Sequence, residues 1–361
     1  MTALEQEISR IIRFEGPISL ERFMGLALGH PKHGYYMTRD PFGAQGDFVT
    51  APEISQMFGE LIGLWAAEIW AAMGRPSRVI LVELGPGRGT LMADALRALR
   101  AAPSFLSAIE VHMVEMSPVL SELQRQSLER SSVPVFWHKQ LNDVPEGPTI
   151  LLANEFFDAL PVRQYVNTQR GWCERLVGLD EQGQLMFGVS STAESTLKVA
   201  APLGEILEIG AQGQLMMREI GQRLQRQHGA ALIVDYGYAE TALGETFQAL
   251  KNHEFVHPLS SVGEADLTVH VDFSALMRAA NSVRLNVFGP VYQCEFLLAL
   301  GIEQRAEALK RRATEAQIAE IDAATLRLTD ESSQNMGHLF KVLAVTSPDL
   351  KQIPGFPQEF A

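Results

Sequence analysis

The stretch that most constrains this chain runs from an apolar segment, Arg78-Val79-Ile80-Leu81-Val82, through Glu83-Leu84 into Gly85-Pro86-Gly87-Arg88-Gly89-Thr90. An aliphatic run, three alternating glycines and a helical pattern from Thr90 to Arg100 read as strand, tight turn and helix. Glycines there let the backbone bend sharply and let a ligand lie against bare amides at a helix N-terminus. The arrangement requires an α/β framework and points to a nucleoside-bearing ligand.

The glycine spacing narrows the ligand. A phosphate-binding loop needs GxxxxGK[ST], and this segment has no lysine. A dinucleotide loop needs G-x-G-x-x-G, but position 90 is Thr90 and the third glycine comes one place early, at Gly89. The resulting E-x-G-x-G-x-G resembles class I methyltransferases that bind S-adenosyl-L-methionine (SAM). The resemblance implies SAM as cofactor, Glu83 near its amino group, and Gly85, Gly87 and Gly89 beside its methionyl and ribose parts. A second acid, Glu115, ends the next strand, Val111-His112-Met113-Val114, where a carboxylate can accept both ribose hydroxyls. It lies 26 positions beyond Gly89, past the usual ~20, because the helix between is longer. Trp137, in Phe136-Trp137-His138, falls where class I methyltransferases contact adenine, and it fits a core position equally well.

Composition excludes other classes. The 361 residues carry 43 acids against 30 bases, a net charge of −13, which repels a phosphate backbone and argues against general nucleic-acid binding. Cys173 and Cys294 lie far apart and form no CxxC, so neither a disulfide framework nor a metal site is expected. The acidic N-terminus resembles neither a signal peptide nor a mitochondrial presequence, and no apolar run approaches the ~20 residues of a membrane span. A cytoplasmic location is the expectation.

Strands at 79–84, 110–115, 133–136, 149–153 and 231–235, with helices at 90–100 and 118–129, predict a mostly parallel sheet with helices on both faces. Two helices split by Gly16-Pro17 occupy 3–28. The Gly-, Pro-, His- and Tyr-rich 29–52 is too long for an idle loop. An apolar-faced helix over 53–73 serves either the core or a subunit interface, which leaves a homodimer open. Short strands at 163–166, 173–177 and 185–189, with a helix at 213–227, predict an antiparallel β insertion at about 162–228. Residues 239–270 read as irregular. A helix at 273–280, a strand at 283–287, helices at 291–299 and 303–326, and a strand at 338–346 complete the chain. The expected division is an N-terminal helical extension with a cofactor-covering loop (1–77) and a methyltransferase domain (78–361). The approach 43–52 is read as a lid, with Thr50 on the cofactor side.

Asn154-Glu155-Phe156-Phe157-Asp158-Ala159-Leu160-Pro161 puts a polar pair at the carboxyl end of a buried strand, the edge where open α/β sheets bind ligands. Burying Asn154 and Glu155 without partners is costly, so a ligand or a tight network is expected there. Asp235 ends the fifth strand, with Tyr236-Gly237 read as a turn; its role is structural or substrate-facing.

Together with Gly46-Asp47-Phe48-Val49-Thr50-Ala51-Pro52-Glu53-Ile54-Ser55, His270-Val271-Asp272-Phe273 and Met336-Gly337-His338-Leu339-Phe340-Lys341-Val342, these segments resemble the MidA-like methyltransferases, a family that includes a mitochondrial complex I assembly factor. The resemblance implies a protein arginine as acceptor, on a quinone-module subunit of NADH dehydrogenase. Glu155 and Asp158 would hold the guanidinium, supported by His270 and Asp272, with Asn154 on the cofactor side. A guanidinium is planar, cationic and weakly nucleophilic, so carboxylates must orient it. The chain departs from better-known arginine methyltransferases where a second glutamate is expected, at Gln164. Methylation of a small molecule or another side chain is the enzymatic alternative, and a non-catalytic assembly chaperone with a SAM fold is the other.

Overall fold

The computed structural model describes residues 1–41, 49–332 and 335–357. Strands covered on both faces need apolar side chains at nearly every position, and the segments around the glycine turn supply them. The central sheet has seven long strands: β1 (Val79–Leu84), β2 (Ile109–Val114), β3 (Val135–His138), β4 (Thr149–Asn154), β5 (Gly229–Tyr238), β6 (Asn286–Tyr292) and β7 (Phe340–Thr346). Their order is β6-β7-β5-β4-β1-β2-β3. β7 alone runs opposite to the other six, antiparallel to both β5 and β6, and the remaining pairs are parallel.

Alternate residues of β1 enter opposite cores. Val79 and Leu81 pack with Met57, Phe58 and Trp65 of the helix Gln56–Ala72. Ile80 and Val82 pack with Met217, Ile220, Phe273 and Leu276 on the other face. The long apolar helix thus buries its face in the core. The chain leaves β1 in one direction, through β2 and β3, and returns through β4 and β5 in the other. Strand order therefore reverses between β1 and β4, which makes their carboxyl ends the expected ligand crevice.

The N-terminal segment is built into this body. Its helices Ala3–Glu15 and Leu20–Gly29 are capped by the hydroxyls of Thr2 and Ser19. Ile18–Ser19 pairs with Val177 and Leu176 of the inserted antiparallel sheet, whose other strands are Arg163–Thr168, Leu185–Ala193 and Ile206–Ile209. Residues 239–270 are not wholly irregular as expected: they hold a three-stranded sheet of Gln248–Lys251, Glu254–Val256 and Asp266–Thr268. Strands of three or four residues are too short for their alternation to show in sequence. Leu4, Ile8, Phe23 and Met24 share one core with Phe247, Ala249, Val262 and Leu267.

Two further differences bear on the site. β3 lies two residues later than expected, so Trp137 sits inside the strand opposite Met113. Tyr236-Gly237 is no turn; it extends β5, and Gly237 and Tyr238 pair in parallel with Val271 and Asp272. A Cβ on Gly237 would stand 2.1 Å from the Val271 carbonyl oxygen. Gly237→Ala should therefore push that strand away, displace His270, and cost about 1–3 kcal/mol in urea unfolding, typical of a forced overpacking.

Candidate active site

The carboxyl ends of β1, β4 and β5 open into one cavity of about 890 Å³, within the roughly 300–1,000 Å³ common for small-ligand sites. On the β1 side, Gly85, Gly87 and Gly89 take φ of 59°, 54° and 82°, values that L side chains rarely adopt. Glu83 is 3% exposed, and its Oε2 has no hydrogen-bond partner among the described residues. Burial, then the nearby charge of Glu115, push its pKa up to about 8. A buried orphaned carboxyl oxygen is expensive unless a donor meets it, and the amino group of a methionyl ligand is such a donor.

Glu115 accepts the Ser117 N–H at 2.7 Å and Gln124 Nε2 at 3.2 Å. Burial raises its pKa to about 7 against those donors. Gln124, fully buried, also donates to the Gly87 carbonyl (2.8 Å) and accepts the Trp137 indole N–H (3.0 Å). One side chain thus couples the glycine turn, the ribose-side acid and β3. Trp137 does not line the cavity; its ring is covered by the Arg125 guanidinium at 4.8 Å. Met116, Leu120, Leu141 and Asn142 form the wall where adenine contact was expected.

On the β4 side, Asp235 governs the backbone. Its Oδ2 accepts the N–H groups of Phe156, Phe157 and Asp158 at 3.2, 2.9 and 3.2 Å, and its Oδ1 accepts that of Tyr236 at 2.9 Å. Burial and the carboxyls of Asp158 and Glu155 push its pKa up, while these donors favour the ionised form. The turn this creates leaves Glu155 at φ 50°. Glu155 Oε1 accepts the Ala51 N–H (3.0 Å) and Asn154 Nδ2 (3.1 Å), and desolvation raises its pKa to about 8. Tyr236 donates its hydroxyl to Asp158 Oδ2 at 2.5 Å. Asp158 Oδ1 is buried and unpartnered among the described residues, and burial lifts its pKa to about 6.

Glu115, Glu155, Asp158, His270, Gly85 and Gly87 all line this cavity. His270 packs edge-on against Tyr236, and burial, then the charge of Lys341, hold its pKa below the ordinary value. Asp272 is elsewhere: it accepts the Ala275 N–H (2.9 Å) as the N-cap of Phe273–Ser282 and the Thr241 hydroxyl (2.8 Å). Thr50 is buried and starts the short helix that presents the Ala51 N–H to Glu155. Gly89 starts the helix Thr90–Ala98 beside Gln124, and Asn154 Oδ1 is buried without a partner among the described residues. Residues 43–48 of the expected lid lie outside the described residues, while Val49 lines the cavity. Gln164, at the place of the second glutamate, is committed to the inserted sheet, donating to Glu208 at 2.7 Å and accepting from Arg175 at 2.8 Å.

Residues 61–291 match a family model described as "Putative S-adenosyl-L-methionine-dependent methyltransferase". The chain belongs to this methyltransferase family. Relatives named "Protein arginine methyltransferase NDUFAF7, mitochondrial" include one from Danio rerio, 40% identical over 85% of this chain and 78% of its own length. The Homo sapiens counterpart is 36% identical over 88% of this chain and 78% of its own. A Burkholderia thailandensis structure bound to S-adenosyl-homocysteine superposes with a TM-score of 0.87 at 29% identity, covering 98% of this chain and 94% of that one. The methyltransferase uses SAM as its cofactor, and its orphaned Glu83 oxygen and the acid at the end of β2 fit that ligand.

The mitochondrial relatives overturn the cytoplasmic expectation. Net charge, sparse cysteines and the lack of a membrane-length apolar run do not distinguish the two locations, and the acidic N-terminal stretch, read against a presequence, was the argument that misled.

Sequence reasoning passed over Gln124 in this methyltransferase, and also Tyr36 and Asp266, which line the cavity and are joined by a 2.8 Å hydrogen bond from the Tyr36 hydroxyl. Gln124 had a readable signal, a polar residue on the apolar face of the helix Pro118–Ser127 beside Leu120. The other two sit on elements far from the motifs. Backbone strain at Glu155 separates stability from function: Glu155→Gly should be more stable than Glu155→Ala by about 1 kcal/mol, because glycine tolerates positive φ. Both should lose methyl transfer, a pairing checked by denaturant unfolding alongside activity.

Proposed function

We propose that this methyltransferase places the methyl group on a guanidinium nitrogen of a protein arginine. The observation that carries this is the pair of acids after β4: Glu155, with its pKa raised by burial, and Asp158, with a buried oxygen that no group of the described residues meets. A planar cation with several N–H donors satisfies both. The names of the curated relatives support the same acceptor.

Bound SAM supplies a methyl group on a positively charged sulfur. Glu83 holds the cofactor's amino group, Glu115 its ribose, and Met116, Leu120 and Asn142 border its base. Glu155 and Asp158 hold the guanidinium so that one terminal nitrogen faces the donor, which replaces chance encounter by fixed orientation. Tyr236 occupies Asp158 Oδ2, which leaves Oδ1 to receive the proton released from the methylated nitrogen. His270 packs against Tyr236 and keeps its hydroxyl aimed. The finer reading, an arginine of a respiratory complex I subunit methylated during assembly, rests on the family resemblance.

Intact-mass and fragment analysis of acceptor proteins incubated with labelled SAM tests this. Methyl groups on arginine that disappear in Glu155→Gln support it, whereas methyl on another side chain or a small molecule overturns it. Loss of a charge-assisted bond pair should lower kcat/KM at least about a hundredfold, with SAM affinity by calorimetry held within about twofold.

The acids also set the pH response. Both carboxyls carry raised pKa values, about 8 for Glu155 and about 6 for Asp158, so they hold protons at low pH and a cation must displace them. kcat/KM should therefore rise as pH increases through that interval. In Glu155→Gln the residual rise should move to the lower end, where Asp158 titrates.

A further inference from the structure

Asp158 is not the only aspartate in this cavity held by a tyrosine. Asp266, 4% exposed on the short strand Asp266–Thr268, accepts the hydroxyl of Tyr36 on its Oδ1 at 2.8 Å. The two pairs are joined, because the Val269 N–H donates to the Asp158 carbonyl at 3.1 Å. Tyr36 feels both acids: burial, then the charge of Asp266, then that of Asp158, raise its pKa well above the ordinary value. Tyr36, Asp158, Tyr236 and Asp266 all line the large cavity. Asp158 Oδ1 within this group is buried and lacks a partner among the described residues, so a donor reaching it would relieve the cost of its burial.

A guanidinium offers five N–H donors in a rigid fork, and of the oxygens of Glu155 and Asp158 two already accept from within the chain. The position nine residues after Glu155, where a second acid was expected, is Gln164, which is engaged by Glu208 and Arg175. We propose that Asp266, positioned by Tyr36, is a further acceptor-holding carboxylate that acts with Glu155 and with Asp158, the latter positioned by Tyr236. The clamp is then assembled from Glu155 and two aspartate–tyrosine pairs on separate elements. One tyrosine comes from the N-terminal segment, so that segment contributes to acceptor recognition. This assignment rests on the arginine reading above.

The test uses N-acetyl-arginine amide as probe, titrated by calorimetry into full-length protein saturated with S-adenosyl-homocysteine, with N-acetyl-citrulline amide as the uncharged control. Asp266→Asn should weaken probe binding at least about tenfold, while Asp266→Glu, which keeps the charge, recovers much of it. S-adenosyl-homocysteine affinity should stay within about twofold in both. Tyr36→Phe removes a donor that favours the ionised acid. The acid limb of probe binding should therefore move up by about one pH unit, a shift that a merely structural tyrosine would not produce.

Unchanged probe binding in Asp266→Asn, or an unmoved acid limb in Tyr36→Phe, overturns the assignment and leaves the arginine reading intact. Wild-type protein that does not distinguish arginine amide from citrulline amide overturns both. If Asp266→Asn loses S-adenosyl-homocysteine as well, the Tyr36→Phe limb decides alone.

Discussion

The Asp235 carboxylate is the interaction on which the site depends. It is fully buried and draws three successive N–H groups from the segment after β4 and one from its own strand. Successive amides converging on one anion form a nest, a geometry that fixes the backbone supplying them. Here that backbone carries Glu155 and Asp158, so the conformation of the acceptor-side acids is dictated by a residue that does not line the cavity. The left-handed φ of Glu155 costs on the order of 1–3 kcal/mol, and the converging hydrogen bonds offset it. The strain persists because the next strand of the sheet over-determines the turn.

Charge follows from the same crowding. Glu83, Glu115, Glu155 and Asp158 are each pushed to a higher pKa mainly by burial. Lys139 and Arg327 also line the cavity, and Arg327 partly offsets the burial of Glu155, but the buried acids outnumber them, and such a site accommodates ligands that bring positive charge. An amino group, a sulfonium and a guanidinium all do so. The acidity of the cavity therefore fits this chemistry, whereas the net charge of −13 says only what the surface repels.

Most of the sheet was legible because its central strands are long and doubly buried, with a glycine turn of one spacing after β1. Gly85, Gly87, Glu115 and Glu155 could be placed for the same reason: each sits at or just after the carboxyl end of a strand whose period is plain. Trp137 was misplaced because a shift of two residues in a four-residue strand moves a side chain from the crevice into the sheet. Asp272 was expected to support the acceptor acids because it lies in His270-Val271-Asp272-Phe273, one of the segments that carry the family resemblance. An aspartate just before a helix most often accepts that helix's own N–H groups. Tyr36 and Asp266 were illegible for a different reason. Their hydroxyl–carboxylate bond spans 230 positions, and no local pattern encodes a contact of that range.

That range matters for how the molecule is divided. The expected boundary after residue 77 divides a helical extension from the strand–helix alternation in the sequence, but packing among the described residues crosses it. The N-terminal helices share a core with residues 247–269, and Ile18–Ser19 extends the inserted sheet. The same N-terminal body delivers Tyr36 and Met37 to the cavity wall, while Ala51, just ahead of the long helix, binds Glu155. The glycine turn, the acid at the end of β2 and β3 are tied together locally by Gln124. The opposite wall is not local, because it draws on the end of β4, the end of β5, the short sheet and the N-terminal segment at once. On the proposed assignment, cofactor binding is the more local property of this fold, and acceptor recognition the one that requires the whole chain to be assembled.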